Sequence, residues 1–210
     1  EHLEDLILNN GYDGANTALK YINALRMMLN TGGEGQSKVT VKWDGAPAII
    51  CGRNPENGKF FVGTKSVFNK TPKINYTPGD ISRNHSGPVA MKLMACLRDL
   101  KRLGITGIYQ GDLLFTKGDL RMASIDGEKM ITFTPNTITY AVPINSKLGR
   151  KISRARIGIV FHTYYSGKDM KSLSAGFGTI RGKSGSAAVY LASAGYTDTS
   201  GSSTFTAGEL

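Results

Sequence analysis

The sequence predicts an α+β fold of antiparallel sheets flanked by helices. Strand-like segments outnumber helical ones along the 210 residues, and the helical patterns fall at the start and in the middle. Strong turn signals such as Asn54-Pro-Glu-Asn-Gly58 separate neighbouring strand-like runs, as in β-hairpins. Hydrophobic residues make up 40% of the chain, enough for a buried core. We therefore expect a single domain over residues 1–210.

The first part of the chain, residues 1–33, is predicted to be a helical flank. Apolar residues at helical spacing begin at Leu3 and stop at Asn9-Asn10-Gly11. A second helical pattern runs from Ala15 to Leu29, and Thr31-Gly32-Gly33 ends it. These helices are interpreted as structural.

Residues 34–165 form the predicted core, organised around the segment 39–51. Val39 and Val41 alternate with polar residues, so Lys42 is predicted to end a strand just before an Asp44-Gly45 bend. A covalent lysyl nucleophile needs a lysine on rigid backbone, a nearby carboxylate, and a glycine that lets a ligand approach. Lys42 is therefore the candidate catalytic residue.

The next elements follow from local patterns. Residues 59–65 are predicted to be the return strand of a hairpin, which brings Lys65 back toward Lys42. Residues 69–88 are predicted to be a long irregular surface loop that touches substrate. A helix is predicted from Pro88 to Gly104, followed by a strand over 107–115 that carries one acid, Asp112.

The later part of the core is predicted to be mostly strands. A turn at Asp126-Gly127 precedes strand-like runs over 130–135 and 137–142, and a short basic helix leads into a strand over 157–165. From residue 166 onward Gly, Ser, Ala and Thr dominate, so no element is predicted there.

Charge and composition narrow the function classes. A net charge of +10 favours a phosphate-rich partner, either a nucleotide or a nucleic acid. The three histidines are scattered, which argues against zinc, and both cysteines are expected to be buried and reduced. No apolar run reaches the length of a membrane span, and the first residues are acidic, unlike a signal peptide. We expect a cytosolic protein with a trimmed start, or one whose leader is missing, without a membrane partner.

Four segments, in order, resemble motifs of the covalent nucleotidyltransferases, the superfamily of ATP-dependent DNA ligases, RNA ligases and capping enzymes. Lys42-Trp-Asp-Gly45 resembles motif I, Lys-x-Asp-Gly, and Phe61-Val-Gly-Thr-Lys-Ser66 is similar to motif Ia. Tyr109-Gln-Gly-Asp-Leu-Leu114 resembles motif III, and residues 159–168 are similar to motif IIIa. The fold that the resemblance implies is a ligase-type adenylation domain.

The resemblance also implies an activity. Lys42 would attack ATP and form a lysyl-AMP, which is passed to a nucleic acid with a 5′-phosphate end. RNA and DNA stay open as substrates, and ATP is preferred over GTP because most of the family uses it. Neighbouring cations, here Lys65 and a bound Mg²⁺, would favour the neutral amine that attacks.

Further site residues follow from the same motifs. Asp112, in the place of the usual glutamate, would hold Mg²⁺ together with the triphosphate. Trp43, Asp44 and Gly45 would contact the nucleotide, with Asp44 orienting Lys42 or bonding the ribose. Besides these, Lys65 would contact ribose or phosphate, and Phe161 would stack on the adenine.

The chain departs from the family pattern at several points. Ala46-Pro47 follows motif I where an arginine is often found, and His162 stands where motif IIIa has an aspartate. Motifs IV and V have only poor counterparts, Arg181-Gly-Lys183 and Gly208-Glu209. We therefore expect residues 166–210 to be the truncated C-terminal part of such a domain, or the family to have diverged.

A second resemblance covers most of the chain. The phrases 42–48 and 132–140 look like those of uncharacterised proteins of T4-like phages of marine bacteria. This implies a viral protein that acts in the host bacterial cytoplasm. The alternative function is then a non-catalytic phage protein that keeps the nucleotidyltransferase fold to bind nucleic acid or a virion component. No oligomerisation module is evident, so a monomer is expected.

Overall fold

The structure is a computed structural model that describes residues 3–30, 41–178, 180 and 187–195. The chain divides into two compact units, one of residues 1–41 and 195–210 and the other of residues 42–194. In the first unit, helix α1 (Leu3–Asn30) is interrupted at Gly11, whose φ of 52° and ψ of −127° are not helical. Glycine adopts this conformation without the steric cost of a Cβ. The interruption divides α1 into two helices, so the two helices predicted for the flank are confirmed. The single domain over 1–210 stays a prediction.

The second unit contains strands and helices in mixed order. Its described elements are β1 (Ala48–Arg53), β2 (Phe60–Gly63), α2 (Pro78–Asn84), α3 (Gly87–Leu100), β3 (Ile108–Thr116), β4 (Arg121–Ile125), β5 (Glu128–Phe133), β6 (Tyr140–Pro143), α4 (Lys147–Arg154), β7 (Ile157–Ser166), β8 (Ser174–Phe177) and β9 (Val189–Ala192). None of the described helices combines the length and the apolar composition that crossing a bilayer requires.

Two sheets organise the second unit. The larger has the strand order β2-β1-β3-β7-β8, and β9 pairs in parallel with the first half of β7 while β8 pairs with its second half. The smaller sheet has the order β4-β5-β6. All pairings other than β7 with β9 are antiparallel. The predicted α+β class with antiparallel sheets and helices is confirmed.

Helix α3 covers one face of the larger sheet. Its apolar residues Leu93, Leu97 and Leu100 are buried in one cluster with sheet residues such as Ile49 and Leu113. A turn of 3₁₀-helix follows, and Gly104 ends it in the left-handed conformation with a φ of 62°. The helix predicted from Pro88 to Gly104 and the hairpin of β1 and β2 are both confirmed.

The prediction of an irregular loop over 69–88 is wrong in part, because helix α2 lies within it. Thr77 accepts a hydrogen bond from the backbone N–H of Asp80, whose carboxylate accepts one from the N–H of Thr77 in return. This capping box, with Pro78 at the first helical position, begins the helix. Ile81 anchors it in the core.

Two further predictions need correction. The prediction that no element follows residue 166 is wrong, because strands β8 and β9 both pair with β7. The strand predicted to end at Lys42 is also wrong for the described residues 41–47, because strand β1 begins only at Ala48. The hydrogen bonds of this segment go instead to β3 and to the loop before β6.

Candidate functional site

The backbone between Gly45 and Ala48 is fixed against strand β3 and helix α3. The N–H of Ala46 donates to the carbonyl of Leu113 at 3.0 Å, and the N–H of Leu113 donates to the carbonyl of Pro47 at 3.1 Å. The ammonium of Lys92 on α3 donates to the carbonyl of Ala46 at 3.3 Å. These bonds extend the pairing of β1 with β3 to Ala46, four residues after Lys42.

Gly45 lies directly on Asp112. A Cβ at position 45 would stand 2.5 Å from the Cβ of Asp112 and 3.1 Å from the carbonyl oxygen of Leu113. Only a residue without a side chain fits this approach. The packing brings the motif I segment against the one acid of strand β3.

The substitution Gly45→Ala is expected to destabilise the protein by about 1–3 kcal/mol, because the new methyl group overlaps both Asp112 and the β3 backbone. Urea unfolding measures the loss. Gly176→Ala on β8 is the matched control, since a Cβ there meets nothing within 4 Å. Equal unfolding midpoints for Gly45→Ala and the wild type would show that the approach is looser than described.

Asp44 is clamped by the loop before β6. Its carboxylate accepts hydrogen bonds from Asn136 Nδ2 at 2.8 Å, from both the N–H and the Oγ1 of Thr137 at 2.8 Å, and from the N–H of Ile138 at 2.9 Å. The bond from Asn136, followed by those from Ile138 and Thr137, holds the pKa of Asp44 far below its usual value. Asp44 thus fastens the motif I segment to the smaller sheet.

The low pKa of Asp44 predicts how stability changes with pH. A carboxyl whose pKa is lower in the folded state contributes stability above its unfolded pKa of about 3.9, and this contribution is lost as the pH falls toward the folded pKa. Asp44→Asn is therefore expected to be less stable than the wild type at neutral pH, with a difference that shrinks below about pH 3.9. Urea midpoints measured down to pH 3 test this. A difference that grows toward low pH would contradict it.

Trp43 is held by packing. Its ring centroid lies 5.3 Å from that of Tyr140, and its indole N–H donates to the carbonyl of Ser193 at 2.9 Å. The Tyr140 hydroxyl in turn accepts the N–H of Asp44 at 3.0 Å. The predicted contact of Trp43 with nucleotide stays a prediction, and the observed role is to anchor the segment next to Lys42.

Lys42 is exposed and directly precedes the segment 43–47, whose positions are held by these contacts. Within the described residues, no hydrogen bond or ion pair engages its ammonium group. Positions 43–47 are each held by the contacts above, whereas the lysine side chain is available to a ligand. This is the arrangement that a nucleophile requires before it meets its substrate.

Asp112 lies on the face of the larger sheet opposite α3. It pairs with Ala48 on β1 and Val160 on β7, and its Oδ2 lies 3.5 Å from His162 Nε2. Gln110, two residues earlier on the same face, accepts a hydrogen bond from the Tyr165 hydroxyl at 2.7 Å. Asp112, His162, Gln110 and Tyr165 therefore share one polar surface.

Phe161 is not on that surface. It pairs with Gly111, so its ring points to the α3 face, where it is 3% exposed and packs edge-on against Tyr109 at 6.0 Å. It also borders a cavity of about 170 Å³ lined further by Leu191 and Ser193. A register shift opposite Gln110 and Gly111 gives β7 one extra residue, His162, next to Asp112. The structure thus brings His162, and not Phe161, to Asp112.

Lys65 is exposed in a short 3₁₀-helix, Lys65–Phe68, after β2. The pairing of Gly63 with Ile50 returns the chain to the beginning of β1, as the hairpin prediction required. Lys65 lies on the β2 side of β1, whereas Asp112 lies on its β3 side.

The carboxylate of Asp112 suits a metal ion that is also bound by substrate phosphates. In the described part of the chain no three His, Cys, Asp or Glu residues come together as a metal site. Asp112 is a partly exposed carboxylate, and Mg²⁺ often binds one or two carboxylates together with substrate phosphates. The residues present therefore fit Mg²⁺ that arrives with a nucleotide.

The sequence reasoning missed the residues that hold the motif I segment. Asn136, Thr137 and Tyr140 contact Asp44 across more than ninety positions of sequence. The phrase 132–140 stands out in the sequence only through its resemblance to phage proteins, which gives no indication of a contact with Asp44. The predicted counterparts of motifs IV and V, 181–183 and 208–209, lie outside the described residues.

The described part of the chain is an α+β protein that presents an exposed lysine on a segment packed against a carboxylate-bearing strand. The chain belongs to DUF6267, a family of unknown function, whose model matches residues 1–210. No curated protein and no solved structure gives a significant match.

Proposed function

We propose that the protein is an ATP-dependent, polynucleotide ligase-like nucleotidyltransferase that forms a lysyl-AMP on Lys42. The observation that carries the proposal is the packing of Gly45 on Asp112, because Gly45 lies three positions after the exposed Lys42 and Asp112 is the one acid of strand β3. The segments that resemble motif I and motif III therefore lie against each other, which supports the proposal.

In the first step the neutral ε-amine of Lys42 attacks the α-phosphorus of ATP. A nitrogen–phosphorus bond forms, the bond to the bridging oxygen breaks, pyrophosphate leaves, and the proton of the amine passes to solvent. The contacts that hold positions 43–47 lower the entropic cost of placing Lys42, which directly precedes them.

Asp112 would hold Mg²⁺ that arrives with the nucleotide, and the ion would neutralise charge on the phosphates. His162, 3.5 Å from Asp112, is placed to donate a hydrogen bond to that carboxylate or to a phosphate oxygen. Lys65 would contact phosphate from the β2 side.

In the second step a 5′-phosphate oxygen of the acceptor attacks the phosphorus of the adenylate. The nitrogen–phosphorus bond breaks, Lys42 is released, and the AMP is linked to the acceptor end through a new pyrophosphate bond. RNA and DNA ends carry the same 5′-phosphate, so both are tested as acceptors.

The second candidate is a non-catalytic phage protein that binds nucleic acid or a virion component. The net charge of +10 favours it, as does helix α4, in which four of eight residues are basic and none is acidic. Such a protein would tolerate Lys42→Ala and show mainly salt-dependent binding.

The test is intact mass measurement after incubation with Mg²⁺ and ATP, followed by a chase with 5′-phosphorylated RNA or DNA. We expect an AMP adduct, matched release of pyrophosphate, and loss of the adduct in the chase. Asp112→Asn is expected to reduce adduct formation at least tenfold by removing the carboxylate that shares the metal. A protein that stays unmodified with ATP and with GTP would contradict the proposal and favour the second candidate.

A further inference from the structure

A second surface feature lies at the other end of the polar face that carries Asp112. It is an open groove of about 570 Å³ between the 3₁₀-helix after β2 and the residues that follow β7. This volume is within the range of small-ligand sites, about 300–1,000 Å³. We call it the aromatic groove and define it by Phe68, Lys70, Tyr165, Met170 and Lys171.

Two aromatic rings form one wall of the aromatic groove. Val67 is buried and fixes the 3₁₀-helix, whereas the neighbouring Phe68 is 41% exposed. The ring centroid of Phe68 lies 5.1 Å from that of Tyr165, with 46° between the ring planes. The hydroxyl of Tyr165 donates a hydrogen bond to Gln110 at 2.7 Å, which holds this ring. The pair presents aromatic surface to the groove, and Phe68 is its more exposed ring.

Two lysines flank the rings. Lys70 and Lys171 both line the aromatic groove and are exposed. The acids nearby are turned toward backbone groups: Asp169 accepts the N–H groups of Lys171 and Ser172 at 2.9 and 2.8 Å. Glu56 accepts the N–H of Met170 at 3.3 Å. The groove therefore places two ammonium groups beside aromatic surface, and the carboxylate of Asp169 also interacts with Lys171.

Proteins bind single-stranded nucleic acid with aromatic rings, on which bases stack, and with cationic side chains, which contact the phosphates. A duplex keeps its bases paired and inside, so it cannot place one on Phe68. We propose that the aromatic groove binds a single-stranded polynucleotide, with a base stacked on Phe68 and phosphates beside Lys70 and Lys171. Gln110, which accepts the Tyr165 hydroxyl, lies two residues before Asp112 on β3. A polynucleotide bound in the groove would therefore extend toward the candidate site.

The binding is independent of lysyl-AMP chemistry and is measured without ATP. Fluorescence anisotropy with a labelled single-stranded oligonucleotide is expected to show that Phe68→Ala binds about tenfold more weakly than the wild type. Phe177→Ala is the matched control, because this phenylalanine is 57% exposed on β8 and lies outside the groove. Its affinity should equal that of the wild type.

The lysines give a second readout. Replacing both Lys70 and Lys171 by alanine is expected to reduce the slope of log affinity against log salt by about 1.4, or about 0.7 for each lost phosphate contact. Equal affinity of the wild type and Phe68→Ala would overturn the proposal. So would equal losses in Phe68→Ala and Phe177→Ala, or binding of duplex or poly-glutamate as tight as that of the single strand.

Discussion

Lys42→Ala is expected to abolish AMP transfer to the protein completely. The proposed chemistry has a single nucleophile, and the structure places no other lysine on the segment that packs against Asp112. Because Lys42 is exposed and within the described residues makes no hydrogen bond or ion pair, its removal should leave the fold intact. Intact mass after incubation with Mg²⁺ and ATP measures the loss.

Two variants separate nucleophilicity from charge and from general damage. Lys42→Arg keeps the positive charge but has no amine to attack, so it should be as inactive as Lys42→Ala. Lys59→Ala removes an exposed lysine from the hairpin turn and should form the adduct at the wild-type level. Residual adduct in Lys42→Ala would mean that another residue is the acceptor.

Arg156→Met is expected to lower the free energy of unfolding by about 1–3 kcal/mol, because it removes one of the two cations that partner the buried carboxylate of Asp99. Asp99 on α3 is completely buried, and its carboxylate lies 2.6 Å from Arg156 and 2.7 Å from Arg98. Loss of Arg156 leaves one carboxylate oxygen without its cation, while Arg98 still partners the other. The pair ties α3 to the beginning of β7.

Urea unfolding of single and double variants tests this ion pair. Arg154→Met, on the exposed side of α4, is the control and should change stability by less than about 0.5 kcal/mol. The double variant Asp99→Leu/Arg156→Met should lose less than the sum of the two single losses, because no buried charge is left without a partner. Additive losses would show that the two residues do not interact.

The sequence predicted the elements whose signals are local. Helix α3 has apolar residues at helical spacing and a glycine at its end, and the β1–β2 hairpin has a strong turn sequence. Helix α2 was missed although Thr77, Pro78 and Asp80 form a recognisable capping box. The polar composition of residues 69–88 predicts a loop, whereas the spacing of Thr77, Pro78 and Asp80 indicates the start of a helix.

Other features depend on partners that are distant in sequence. All four residues of β8 are exposed, so it has no apolar alternation, and β7 supplies its hydrogen bonds. The orientation of Phe161 depends on an extra residue in β7 that is visible only from the register with β3. The clamp on Asp44 joins two loops more than ninety residues apart. Such features follow from tertiary pairing and not from periodicity.

The most direct measurement of the central claim compares ATP labelled at the α-phosphate with ATP labelled at the γ-phosphate, followed by peptide mapping of the denatured protein. The account predicts that only the α-label is retained and that it lies on the peptide containing Lys42. It also predicts that acid, which cleaves a nitrogen–phosphorus bond, releases the label. Retention of the γ-label, or an α-label on a peptide without Lys42, would contradict the account.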